Sequence, residues 1–174
     1  MTFAEWYYES GTARGYDMPR IAPAHSGPYR LAIMLQDPGG PLAGSGAQQS
    51  GEIGVTNNDA TARFVRNCLE VLGIPQNEIV LINSLPGYGL ENSASERRRG
   101  ASFNTEVIKK SGVRVILIAG AISRDVAKHI DFGPVSVFHT HHPSTLGHNR
   151  RGSGEIGKLE WRSALRQAWS IVQP

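Results

Sequence analysis

Leu31-Ala32-Ile33-Met34-Leu35-Gln36-Asp37-Pro38-Gly39-Gly40-Pro41 decides the fold. Its five apolar residues lack the alternation of a half-exposed strand and suit one buried on both faces, as in a parallel sheet. The run then turns polar and breaks at Asp37-Pro38-Gly39. An acid at the carboxyl end of a buried parallel strand is well placed for a reactive site. Asp before Pro-Gly is also a good turn former, so Asp37 alone does not decide between the two.

The same grammar recurs downstream. Ile79-Val80-Leu81-Ile82 gives out at Asn83, Val113 to Ala119 stops at Gly120, and Val135 to Phe138 leads into a loop with four histidines, His139-Thr140-His141-His142-Pro143-Ser144-Thr145-Leu146-Gly147-His148. Between these strands lie helices. Asn58 or Asp59 caps one in which Phe64, Cys68, Leu69 and Leu72 share a face before Gly73 stops it. A basic helix is expected from Glu96 to Lys110, another from Gly120 to about His129, and a C-terminal helix with Ile156, Leu159, Leu165, Trp169 and Val172 on its buried face. Pro41 to Gly54 reads as a long Gly/Ser/Gln-rich loop, functional or mobile rather than a mere connector. Residues 1–30 read as a short helix or irregular arm whose aromatic residues, Trp6, Tyr7, Tyr8, Tyr16 and Tyr29, pack on the core or stack nucleic-acid bases.

Alternating strands and helices imply an α/β fold. The expectation is a single three-layer α/β/α domain over residues 1–174, with a central four-stranded, mainly parallel sheet. Such sheets bind ligands outside the carboxyl ends of their strands. Asp37, Asn83 and the histidine loop all fall there.

The composition narrows the function. The chain has 174 residues and a net charge of +3, which permits a polyanionic partner without requiring one. One cysteine, Cys68, excludes an intramolecular disulfide framework and Cys-rich metal sites. No apolar run approaches the eighteen or so residues of a membrane span. The N-terminus lacks the basic start and apolar middle of a secretory signal, so a cytoplasmic protein is expected.

Taken together, Gln36-Asp37-Pro38, Asn83 and His142-Pro143-Ser144-x-Leu146 resemble the three signature motifs of the uracil-DNA glycosylase superfamily, in the same order. The first looks like the QDPYH motif of the ordinary enzymes and, through Pro38-Gly39, like the EAPG motif of the iron–sulfur branch. Gly73-Ile74, Ile79 to Asn83 and Val115 to Ala121 are similar to that branch as well. The resemblance covers about residues 31 to 147.

It implies a monofunctional glycosylase acting on uracil or a related damaged base in DNA, as a monomer, with no cofactor and no metal. Asp37 and His142 would be catalytic, one steadying positive charge on the sugar and positioning water, the other holding the departing base. Asn83 would offer donor and acceptor to the base edge, with Gln36, Gly39 and Ile53 lining the pocket. Pro143, Ser144 and Leu146 would contact the DNA, Ser144 at a phosphate and Leu146 as a wedge in the vacated stack. The chain departs from the pattern in three ways. Gly39 replaces the Tyr of QDPYH, Ile53 is the nearest match to the stacking Phe, and a single cysteine leaves no place for the cluster. Base choice therefore stays open between uracil and other damaged bases.

Two other readings compete. His139-x-His141 followed by Pro143 resembles the HxHP core of zinc isopeptidases, implying a zinc-dependent hydrolase, but the Ser-x-x-Asp that should follow is missing. The same fold could also serve as a non-catalytic DNA-binding module, which would have no need of Asp37 or His142.

Overall fold

The computed structural model describes residues 1–39, 46–144, 147, 149 and 154–173. Its centre is a sheet of four strands, β2 (Leu31–Leu35), β4 (Ile79–Asn83), β5 (Val115–Ala119) and β6 (Ser136–Thr140), in the order β4-β2-β5-β6. Every pairing is parallel, with Leu31 opposite both Ile79 and Val115, and Val115 opposite Ser136. All five residues of β4 and of β5 are buried, Ile79–Ile82 and Val115–Ala119 as unbroken apolar runs demand, and the polar Asn83 with them.

Helices cover both faces. On one, α3 (Ala60–Leu72) meets the C-terminal helix α6 (Gly154–Ser170). The Phe64 and Trp161 rings touch edge-on at 5.3 Å, and Arg162 donates to Asn67. On the other face α4 (Ala94–Ser111) packs against both α1 (Phe3–Ala13) and α5 (Ala121–Ala127). The result is a three-layer α/β/α fold around one apolar core.

Sequence features set the helix limits. Thr2 and Glu5 form a reciprocal capping box on α1. Asp59 caps α3 through the Ala62 N–H, and Gly73 ends it in a left-handed conformation. The arm's aromatic residues belong to the core. Tyr7 is fully buried, and Tyr7 and Tyr16 both pack on Phe103 of α4. Tyr8 lies beneath the Arg20 guanidinium at 3.8 Å.

Three expectations need correction. The segment read as loop contains a short helix, α2 (Gly46–Ser50), and a two-residue strand, β3 (Glu52–Ile53), which pairs in parallel with β1 (Arg20–Ile21). Strands this short leave no periodic signal; what fixes them is burial of Ile21 and Ile53. The last strand runs on to Thr140, so His139 belongs to β6 rather than to the following loop. On α6, Ile156 and Leu159 are exposed, and the buried side is built from Gly157, Trp161, Leu165, Ala168 and Trp169. Trp161 and Trp169, the two bulkiest side chains in the helix, are both buried, a rotation that turns Ile156 and Leu159 outward.

One buried polar residue ties the sheet to the loops. His25 is 1% exposed; its Nδ1 lies 3.0 Å from the Gln76 carbonyl and 2.9 Å from that of Ile79, while Nε2 accepts from the Val55 N–H at 3.2 Å. Those partners define a neutral ring protonated on Nδ1. Burial pushes its pKa down, against the opposing pull of the two carbonyls. Among the described residues no helix is long and apolar enough to cross a membrane.

Candidate active site

A cavity of about 340 Å³ opens at the carboxyl ends of β2 and β4. Gln36, Asp37, Gly39, Ile53, Asn83 and His142 all border it. Its apolar wall is made by Leu35, Ala47, Ala62, Val65 and Leu81. β2 feeds a helix that leads to β4 on one side, while its other neighbour, β5, leads to β6 on the far side. Connections therefore diverge between β2 and β5, and the cavity lies beside that point, at the carboxyl end of β2 on its β4 side.

Asp37 is both a turn former and a cavity residue. Its Oδ1 accepts the Gly39 N–H at 2.8 Å, closing a tight turn that Gly39 completes at φ 93°. Its Oδ2 accepts from Nε2 of Gln36 at 2.7 Å. These bonds fix the carboxylate, yet each oxygen keeps lone-pair capacity for a further donor. The Gln36 carbonyl is engaged elsewhere, accepting from the Ser84 hydroxyl at 2.8 Å and the Leu85 N–H at 2.9 Å. Gln36 thus secures the end of β2 to the end of β4 and holds Asp37 through its side chain.

Asn83 sits opposite Leu35, at the last paired position of β4. It is 2% exposed. Nδ2 of Asn104, on α4, donates to the main-chain carbonyls of both Asn83 and Ser84, at 3.1 and 3.2 Å. Close approach of α4 at this point depends on Gly100, where a Cβ would strike the Ser84 carbonyl oxygen. The Asn83 main chain is therefore clamped, while its side-chain amide has no hydrogen-bond partner among the described residues and borders the cavity.

His142 enters from the loop after β6. The Gly120 N–H donates to the Thr140 carbonyl at 3.0 Å, joining the ends of β5 and β6. Gly120 has φ 101°, and a Cβ there would lie 3.2 Å from that of His142. A glycine at this place thus lets the imidazole pack against the end of β5. Pro143 is buried, and the Ser144 hydroxyl accepts the Gly147 N–H at 3.2 Å. Neither Pro143 nor Ser144 borders the cavity. Leu146 lies outside the described residues. His139 and His141 are not among the cavity-lining residues. Partial burial and then the Arg124 charge push the His139 pKa down. Among the described residues no three His, Cys, Asp or Glu side chains are grouped closely enough to hold a metal ion.

Another part of the lining escaped the sequence reading. Asn57, Asp59, Ala60 and Thr61 border the cavity along the start of α3. Asp59 was legible as a cap, but not as a cavity residue. The available signal was topological: a helix that follows a buried parallel strand begins at the strand's carboxyl end, so its first turn faces the crevice. No Phe, Tyr or Trp is among the described residues that border the cavity, and Ile53, 4% exposed, stands at the position compared with a stacking ring.

Fold and cavity together define an α/β/α protein with a largely apolar crevice, carrying a few polar side chains, at the carboxyl end of a parallel sheet. No protein-family model matches the chain, and no curated protein matches it. Among solved structures it is similar to that of a mimivirus UNG variant in complex with UGI, at 18% identity over 72% of this chain and 54% of that one, with a TM-score of 0.44. The chain thus spans about half the length of that structure.

Proposed function

We propose that this protein is a monofunctional DNA glycosylase, hydrolysing the N-glycosidic bond of uracil or a related damaged base as residues 1–174 of a single domain. The reading is carried by one observation: Asp37, Asn83 and His142, from three distant segments, border the same cavity. The motif resemblance concerns these same three residues.

The target nucleotide first leaves the stack, at a cost of about a few kcal/mol. Asn83 then offers its uncommitted amide to the base edge, one atom donating and one accepting. When the bond from C1′ to the base breaks, its electron pair leaves with the base and positive charge develops on the sugar. Asp37, held by Gln36 and Gly39, stabilises that charge and orients a water. The water oxygen bonds to C1′ and its proton passes to the carboxylate or to solvent. His142 donates a hydrogen bond to the carbonyl oxygen of the leaving base, where the negative charge collects. Ser144 would hold a backbone phosphate, and Leu146 would fill the vacated stack. In this reading DNA is the partner and the reaction needs neither metal nor cofactor.

The test is base release from labelled oligonucleotides carrying uracil, hypoxanthine or a thymine mispair, single- and double-stranded, in EDTA. Release that survives the chelator supports the glycosylase and removes the zinc hydrolase. Salt-sensitive DNA binding with no release from any substrate would replace it with the non-catalytic binder.

A further inference from the structure

One buried polar side chain takes no part in the chemistry proposed above. Asn104 of α4 is fully buried and does not border the cavity. Its Nδ2 donates to two consecutive main-chain carbonyls, Asn83 at 3.1 Å and Ser84 at 3.2 Å. In an extended strand successive peptide groups face opposite ways. One amide that reaches both carbonyls therefore marks the place where the chain bends out of β4. Gly100, four residues earlier on the same face of α4, permits the approach, since a Cβ there would strike the Ser84 carbonyl oxygen.

The two peptide groups that follow Asn83 are thereby held from both sides. Their N–H groups, those of Ser84 and Leu85, donate to the Leu35 and Gln36 carbonyls of the neighbouring chain, at 2.8 and 2.9 Å. Their carbonyls, those of Asn83 and Ser84, are taken by Asn104. Bonds to the N–H groups alone would let each peptide pivot, and the bonds from α4 remove that freedom. The Asn104 amide does this at a cost, because its own Oδ1 is buried without a hydrogen-bond partner among the described residues. What it secures is the direction in which the Asn83 side chain leaves the backbone. We propose that Asn104 is a positioning residue for Asn83, and that its effect on the reaction passes through the Asn83 amide. The inference rests on the glycosylase reading for the reaction, but not for the positioning itself.

The experiment joins a double-mutant cycle to a spectrum. Asn104→Leu keeps the volume and loses both donors. It should slow single-turnover base release from a uracil-containing oligonucleotide about tenfold, the scale of a slight misplacement. In the Asn83→Ala background the same change should alter release by less than about twofold, because the group it positions is gone. Asn104→Ser keeps one donor and should fall between, and it takes over the test if Asn104→Leu does not fold. A merely structural Asn104 slows both backgrounds by the same factor, or neither, and either result would overturn the inference. The spectrum needs no reaction. In protein isotope-labelled at asparagine nitrogen, the side-chain amide signals of Asn83, assigned by their loss in Asn83→Ala, should shift and broaden in Asn104→Leu and Asn104→Ser. Signals unmoved in both variants sink the inference whatever the rates. Base release with an additive cycle removes the positioning role and leaves the glycosylase standing. If the wild type releases no base, the glycosylase reading falls and the Asn83 signals alone decide the positioning.

Discussion

His25 and Asn83 are almost equally buried, at 1% and 2% exposure, and they spend their polar atoms differently. Each ring nitrogen of His25 has a main-chain partner, and through them the ring joins the Val55 loop to the start of β4. Among the described residues Asn83 is held only through its main chain, and it borders the cavity. Burial therefore does not separate structure from function; the destination of the hydrogen bonds does. Lack of a partner alone is not sufficient either. Among the described residues Trp161 Nε1 and Asn104 Oδ1 are buried without partners, but neither residue borders the cavity.

The largest effects should come from the cavity. Asp37→Ala and His142→Ala are expected to slow base release by about 100-fold or more in single-turnover assays, the scale set by removing one charge-stabilising group. DNA affinity and melting temperature should stay near the wild type. If both variants release base at the wild-type rate, neither residue has the role assigned to it. Asn83→Ala belongs on the same side of the comparison. Release should fall at least about tenfold while stability changes by no more than about 1 kcal/mol, because the lost amide had no protein partner.

His25→Ala should give the mirror image. It leaves one buried carbonyl, one part-buried carbonyl and one buried N–H without their partner, and should cost about 2–4 kcal/mol in urea unfolding. Release per folded molecule should be close to normal. A His25 variant of normal stability and no activity would invert the comparison and move His25 into the site.

This contrast also explains what was legible in the sequence. The sheet was, because Leu31–Leu35, Ile79–Ile82 and Val115–Ala119 are apolar without interruption, and burial on both faces leaves that mark. Asp37, Asn83 and the histidine loop could be placed because the carboxyl ends of such strands are marked by the same runs; singling out His142 within that loop rested on the motif resemblance. The wall formed by Asp59 and Thr61 was hidden, since which side of a helix's first turn meets a cavity depends on its crossing over the sheet and not on its own residues. His25 was hidden for a similar reason. Its partners, Val55, Gln76 and Ile79, are all main-chain groups and carry no side-chain signature. The pair β1–β3 was too short for any period, and the buried face of α6 followed Trp161 and Trp169 rather than Ile156 and Leu159.

A smaller effect follows from acid. Burial lowers the His25 pKa from its ordinary 6.5, so the folded ring stays neutral at a pH where the unfolded ring takes up a proton. Its contribution is complete above about pH 6.5 and is lost as the pH falls through that value toward the lowered folded one. Urea midpoints measured from pH 7.5 to 5 should therefore fall more steeply in the wild type than in His25→Gln, whose side chain does not titrate. Parallel slopes would mean that the ring is protonated in the folded protein, and that its partners differ from those seen here.

The smallest effect sharpens the comparison from outside the core. Leu159 is 62% exposed and Ile156 50%, although the apolar pattern of α6 had put both inside. Leu159→Gln exchanges one good helix former for another on a solvent-facing position, and should move the unfolding free energy by less than about 0.5 kcal/mol. Urea denaturation at neutral pH measures it directly. An apolar side chain is no more structural by its type than a polar one is functional by its burial; each is decided by what it touches. A loss of about 2 kcal/mol or more would show that Leu159 is covered in solution, and would return it to the buried face that the helical spacing assigned.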